Sequence, residues 1–125
     1  MNHINNTIML TDSKGVSVID INSIIRVEAI SNYSKLFLAD GKRITVSKVL
    51  KQVEAMLAGK GFERVHRSHL VNSTWIQRYN LYQQKIELYN QEEVSMSRRK
   101  KAELKEKLSG KKALSIPTEQ TLAAA

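Results

Sequence analysis

A mainly β domain, with one helix in mid-chain and a second, short helix near its end, is the fold class this sequence predicts. Three observations predict it. The first half reads as apolar runs of four to six residues separated by turn-prone residues, the punctuation of short strands. At Val49 the apolar spacing lengthens to that of a helix face, and near residue 75 strand-like runs return. The only proline, Pro117, falls in an aperiodic tail.

The elements follow in order. Residues 7–12 and 16–20 flank Ser13-Lys14-Gly15, a hairpin-like break. Residues 25–30 read as a third strand and 35–39 as a fourth. Asp40-Gly41 favours a type I′ turn, because both central residues of that turn need positive φ, and it returns the chain through residues 43–46. Val49, Leu50, Val53, Met56 and Leu57 then line one side of an amphipathic helix over about 47–58 that covers the core. Ser47 is its expected N-cap and Gly59 its left-handed stop. Strands resume at 75–79, 85–89 and 93–96, with turn-prone Asn80 and Asn90-Gln91 nearby. A last helix over 98–108, capped by Ser97, has Leu104 and Leu108 as its apolar anchors. Residues 1–6 and 109–125 are expected to be flexible ends of one domain spanning 7–108, and no internal repeat is evident.

Composition bounds the function. The 125 residues suit a single domain, and 42% hydrophobic with 26% charged residues is too apolar for a disordered chain. A net charge of +8 makes nucleic acid the first partner to consider and an anionic membrane surface the second. The absence of cysteine excludes disulfides, thiolate zinc sites and thiol catalysis. No apolar run is long enough to span a bilayer, and the first residues lack the layout of a signal peptide, so a cytoplasmic protein is expected.

Catalytic chemistry finds no support in the residues. His66 and His69 stand three apart, a spacing that metal ligands use, yet no cysteine or nearby carboxylate pair completes a site. They read as hydrogen-bonded histidines of a tight turn. Ser68 lies between them without a recognisable base and orienting acid, and the scattered glycines form no phosphate-cradling loop. The chain is therefore read as a binding protein, with no cofactor, metal or small-molecule substrate.

Basic residues are the stronger signal. With Ser97 as cap, Arg98, Arg99, Lys100 and Lys101 occupy the first helical turn, where the macrodipole is already positive. Each cation there is unfavourable by roughly 0.3–1 kcal/mol before screening. An incoming phosphate would meet both the cations and free backbone N–H groups, although a solvated basic run is the alternative. Two further polar-basic sets lie at element edges: Arg64, His66, Arg67 and Ser68, and the loop Ser31-Asn32-Tyr33-Ser34-Lys35. Loops on a rigid β-scaffold commonly carry binding groups.

These residues also resemble a known family. The stretch Phe62-Glu-Arg-Val-His-Arg-Ser-His-Leu-Val-Asn72 is similar to the signature F-x-R-x-H-[RK]-S-x-[LI]-V-N of LytTR-type DNA-binding domains. Ile25-Arg-Val-Glu-Ala-Ile-Ser-Asn-Tyr-Ser-Lys35 looks like that family's I-x-x-I/V-E-A-x-x-x-Y strand and loop, and Asp40-Gly41 and Val94-Ser-Met-Ser-Arg98 recur in its order. The resemblance covers roughly residues 7–108. It implies an elongated β-sandwich of about ten short strands that binds duplex DNA through loops in successive major grooves, contacting the backbone between them. Carried over residue by residue, it implies base reading by Ser34 or Lys35 and by Arg98, with Arg67 at the middle contact. Asn32, Ser68, Arg99 and Lys101 fall on phosphate or supporting positions, while His66, His69 and Asn72 brace the turn. Members usually carry this domain behind a receiver or membrane-sensor domain, so a chain this short is expected to act as a stand-alone bacterial regulator. Family sites are often tandem direct repeats, which implies self-association on DNA. A small RNA-binding β-domain and a basic adaptor for an acidic protein are the rival readings; four tyrosines without an RNA-binding pattern weigh against the first.

Overall fold

A computed structural model of the chain describes residues 6–109 and 114–117. It contains ten strands: β1 (Thr7–Asp12), β2 (Gly15–Asp20), β3 (Ile24–Ile30), β4 (Tyr33–Leu38), β5 (Arg43–Val46), β6 (Phe62–His66), β7 (His69–Asn72), β8 (Ile76–Asn80), β9 (Lys85–Leu88) and β10 (Glu93–Ser95). Two helices join them, α1 (Leu50–Met56) and α2 (Arg98–Ser109). The expectations of flexible ends concern segments that lie largely outside the described residues; Ser109, expected in the tail, closes α2.

All pairings are antiparallel and form three sheets: β1-β2, β5-β4-β3-β7-β6 and β10-β9-β8. The five-stranded sheet is the middle layer. On one side Leu50 and Val53 of α1, Leu57 at its C-cap and Leu10 from β1 pack on Ile24, Val27, Leu36 and Leu70. On the other, Ile86, Leu88 and Val94 of the three-stranded sheet pack on Ile25, Val65 and Val71, joined by Leu104 of α2. Successive residues therefore serve opposite cores: Ile24 and Ile25 in β3, Leu70 and Val71 in β7. Each fully buried aliphatic side chain contributes about 1.5–3 kcal/mol. Arg26 locks the layers at one end. Its guanidinium lies 3.7 Å from the Phe37 ring centroid and donates to Glu92 from Nε (2.9 Å) and from its terminal nitrogen (3.2 Å).

Two local expectations are corrected. Ser47 does not cap α1: the N-cap is Val49, whose N–H donates to the Gln52 side chain at 3.2 Å. The chain bends at Ser47 and Lys48 before the helix, and Ser34 Oγ donates to the Lys48 carbonyl at 2.7 Å. The Asp40-Gly41 turn is not type I′, since only Gly41 (φ 91°) has positive φ. Gly41 N–H bonds to the Leu38 carbonyl across Ala39 and Asp40, giving a three-residue loop with glycine in the left-handed position.

A repeat is present in three dimensions although none is evident in the sequence. Asp20 and Asn72 each cap a 3₁₀ turn (Ile21–Ser23, Ser73–Trp75), and β3 and β8 follow with a register shift at the same place, before Arg26 and before Arg78. Each then turns back, and the β9-β10 loop repeats the geometry of the β4-β5 loop, with Gln91 (φ 76°) where the first has Gly41. Register also fixes which loops share an end. Within the five-stranded sheet the turns β3-β4 and β6-β7 and the link from β5 to α1 share one end. Bonds from Ser97 N–H to the Val65 carbonyl and from Met96 N–H to the Gln84 carbonyl bring the β8-β9 turn and the junction of β10 with α2 to that same end.

Candidate nucleic-acid interface

That end gathers the three polar-basic sets. The β3-β4 turn, Ser31-Asn32, is tight, with Ile30 paired to Tyr33 and Ser31 at φ 55°. Beside it lies the β6-β7 turn, Arg67-Ser68, tied to β3 by a bond from Ala29 N–H to the Ser68 carbonyl (2.9 Å). The start of α2 docks against β6 through Ser97 N–H to the Val65 carbonyl (2.8 Å). Ser97 is the N-cap expected of it, its hydroxyl accepting from Lys100 N–H at 3.0 Å.

Arg64 builds the middle turn. Its guanidinium donates to the carbonyls of His66 (2.9 Å) and Arg67 (2.7 Å) and to Glu54 of α1 (2.7 Å). Arg64 thus braces the backbone of the turn, and the Arg67 side chain is exposed. His66 Nδ1 accepts from Ser68 N–H at 3.1 Å, and its ring lies 5.2 Å from that of His69. His69 Nδ1 is buried without a hydrogen-bond partner. Burial pushes His69 below the ordinary histidine range, with His66 and Arg26 adding to the effect and Glu28 opposing it. Asn72 is buried, accepts from Thr74 N–H and Oγ1, and donates to the Ile24 carbonyl. Of the three residues expected to brace this turn, only His66 is hydrogen-bonded within it. The buried Nδ1 of His69, expected to be hydrogen-bonded, has no partner among the described residues, and Asn72 lies at the far end of β7, where it caps the Ser73–Trp75 turn instead.

The four cations of the last helix divide. Arg98 and Arg99 are exposed and Lys101 is half-buried. Lys100 is buried, with Nζ 3.1 Å from Glu63 Oε1. Burial alone would raise the Glu63 carboxyl, but bonds from Ser73, Lys100 and Tyr79 outweigh it and hold it below the usual range. Burial and this carboxylate together push the Tyr79 phenol well up, so it remains a donor.

Of the residues singled out in the first loop, Asn32 is exposed and Lys35 half-exposed, but Ser34 is 0% exposed and its hydroxyl is committed to Lys48. Ser34 is a structural residue here and offers nothing to a base edge. An open groove of about 740 Å³ runs between the helices, lined by Lys51, Glu54, Arg64, His66, Arg67, Ser97, Arg99 and Glu103. It brings Arg67 and Arg99 together with Lys51, a residue the sequence reading passed over. Its signal was of the kind noticed at α2: a cation in a helix's first turn. Such an end, cationic, loop-built and rigidly braced, can hold a polyanion by phosphate neutralisation and present planar arginines to base edges.

Residues 14–109 match the family described as LytTr DNA-binding domain. Among solved structures the chain is similar to a LytTr DNA-binding domain from Bacillus cereus, with a TM-score of 0.66 and 20% identity over 84% of this chain and 97% of that one. No curated protein matches it. Among the described residues, no helix is long and apolar enough to cross a membrane.

Proposed function

The chain belongs to the LytTR family of DNA-binding domains, and from that premise we propose that it is a bacterial, cytoplasmic transcription regulator that recognises duplex DNA sequence-specifically. Its chemistry is binding without turnover. The observation that carries this reading is the convergence of exposed Asn32, Arg67, Arg98 and Arg99 on one end of the sandwich. Lys35 and Arg98 are assigned to base edges in successive major grooves, and Arg67 to the stretch between them. Asn32, Ser68, Arg99 and Lys101 are assigned to phosphates. Affinity then comes mainly from phosphate neutralisation and specificity from the few side chains that reach bases. Two copies on tandem direct repeats would lie on the same face of the duplex.

Selection of bound duplexes from a random-sequence pool, followed by competition at fixed salt, tests the proposal. A recovered duplex should outcompete a scrambled duplex, a single-stranded RNA and an acidic polymer, and the spacing of any repeat within it reports the stoichiometry. Preference for the RNA or the polymer would overturn the reading.

A further inference from the structure

We propose that the β8-β9 turn, residues 81–84, is a further DNA contact, with Tyr82 resting on the sugar–phosphate backbone beside the base reached from the start of α2. The proposal deepens the reading of this end as a duplex-binding face and rests on it. Tyr82 is 93% exposed, the most exposed large hydrophobic side chain among the described residues. It is not presented by a loose loop. Gln83 N–H donates to Asn80 Oδ1 (2.9 Å), and Leu81 packs on the core beneath the three-stranded sheet. Gln84 (φ 53°) bonds twice to Met96, accepting from its N–H (2.9 Å) and donating to its carbonyl (3.3 Å). Met96 precedes Ser97 and Arg98, so the turn is fastened to the segment that carries the last basic cluster.

Chemistry points the same way. A tyrosine has a rigid ring with few torsions to immobilise, an apolar face for a deoxyribose and a hydroxyl that donates to a phosphate oxygen. Residues 81–84 contain no carboxylate and are followed by Lys85, so nothing within the turn repels a polyanion. Tyr89 provides the contrast: it is also exposed, but it lies in the turn at the opposite end, close in sequence to Glu92 and Glu93. Of the two exposed tyrosines on this sheet, only Tyr82 combines the right end with a compatible charge.

The test uses the full chain, a duplex recovered by selection and a scrambled duplex of equal length. Because the Tyr82 ring touches so little protein, Tyr82→Ala should melt at the wild-type temperature while weakening binding to both duplexes by about three- to tenfold. Tyr82→Phe should lose most of that affinity if the hydroxyl meets a phosphate. Shortening the duplex from the α2 side should abolish the difference between wild type and Tyr82→Ala; shortening the other side should not. Arg67→Ala, measured alongside, reports on the interface itself. If Arg67→Ala weakens binding and Tyr82→Ala does not, the additional contact is wrong and the interface stands. If Tyr82→Ala loses only cooperativity on tandem sites, the turn meets a neighbouring copy and the proposal is also wrong.

Discussion

Lys100 Nζ meets Glu63 Oε1 at 3.1 Å beneath the first turn of α2, and this pair separates a structural cation from exposed Arg98 and Arg99 and half-buried Lys101. Glu63 also accepts from Ser73 Oγ (2.7 Å) and Tyr79 OH (2.9 Å), so one carboxylate of β6 joins the helix, the 3₁₀ turn and the third sheet. Removing Lys100 leaves that largely buried carboxylate without its charged partner. Lys100→Ala should therefore lower stability by about 1–3 kcal/mol in urea unfolding. Exposed Arg99→Ala should leave stability within about 0.5 kcal/mol and weaken DNA binding instead. Equal stabilities for the two variants would contradict this division.

How far the sequence was legible follows from the same residues. Strands with one wet face, such as β4 and β9, betray themselves by alternation, and the stripe of α1 is as plain. By pattern alone β6 and β7 read only as a tight turn around two histidines. The reason is physical: β7 is buried on both faces, so it does not alternate, while β6 turns Glu63 and Arg64 into ion pairs rather than apolar contacts. Only the likeness of residues 62–72 to a family signature revealed that stretch. At the candidate site, the exposure of Arg67, Arg98 and Arg99 was legible, because cations in tight turns and at a helix start stay in water unless a carboxylate pairs with them. Ser34 was not, since nothing in sequence says that its hydroxyl faces inward to Lys48.

Acid should loosen the central turn. The folded-state pKa of His69 lies below its ordinary value because burial disfavours the charged form, so the unfolded chain binds the proton more readily. Stability from this residue is fully present above the ordinary histidine range and is lost as pH falls through and below it. Urea midpoints should drop between pH 7.5 and pH 5.5, and His69→Gln should flatten that drop. An unchanged slope in the variant would show that another group is responsible.

The loop closing β9 and β10 holds a repairable strain. Gln91 occupies the left-handed position (φ 76°) that Gly41 (φ 91°) fills in the equivalent loop of the first meander. A side chain there costs about 1–2 kcal/mol, partly offset by the extra chain entropy of glycine. Gln91→Gly should raise stability by about 0.5–1 kcal/mol, and Gly41→Gln should lower it, both read from thermal melts. Because this loop lies at the end away from Arg67 and Arg98, DNA affinity should be unchanged by Gln91→Gly.

Base reading and phosphate clamping should separate within α2. Arg98 is exposed at the first helical position, directly after the Ser97 cap that is bonded to β6. Its backbone is thus anchored, and among the described residues its guanidinium donors have no partner. Arg98→Ala should cost about 1–3 kcal/mol on the selected duplex and relax selectivity at one base position. Lys101 stands about one turn later, half-buried, its N–H bonded back to the Ser97 carbonyl at 3.0 Å. A flexible ammonium there suits a phosphate, so Lys101→Ala should weaken selected and scrambled duplexes alike and lower the salt slope by roughly one unit. Isotherms for both variants on both duplexes at several salt concentrations decide the matter. If Arg98→Ala weakens both duplexes equally with base preference intact, the start of α2 is an electrostatic clamp, and specificity must reside in Lys35 and the middle turn.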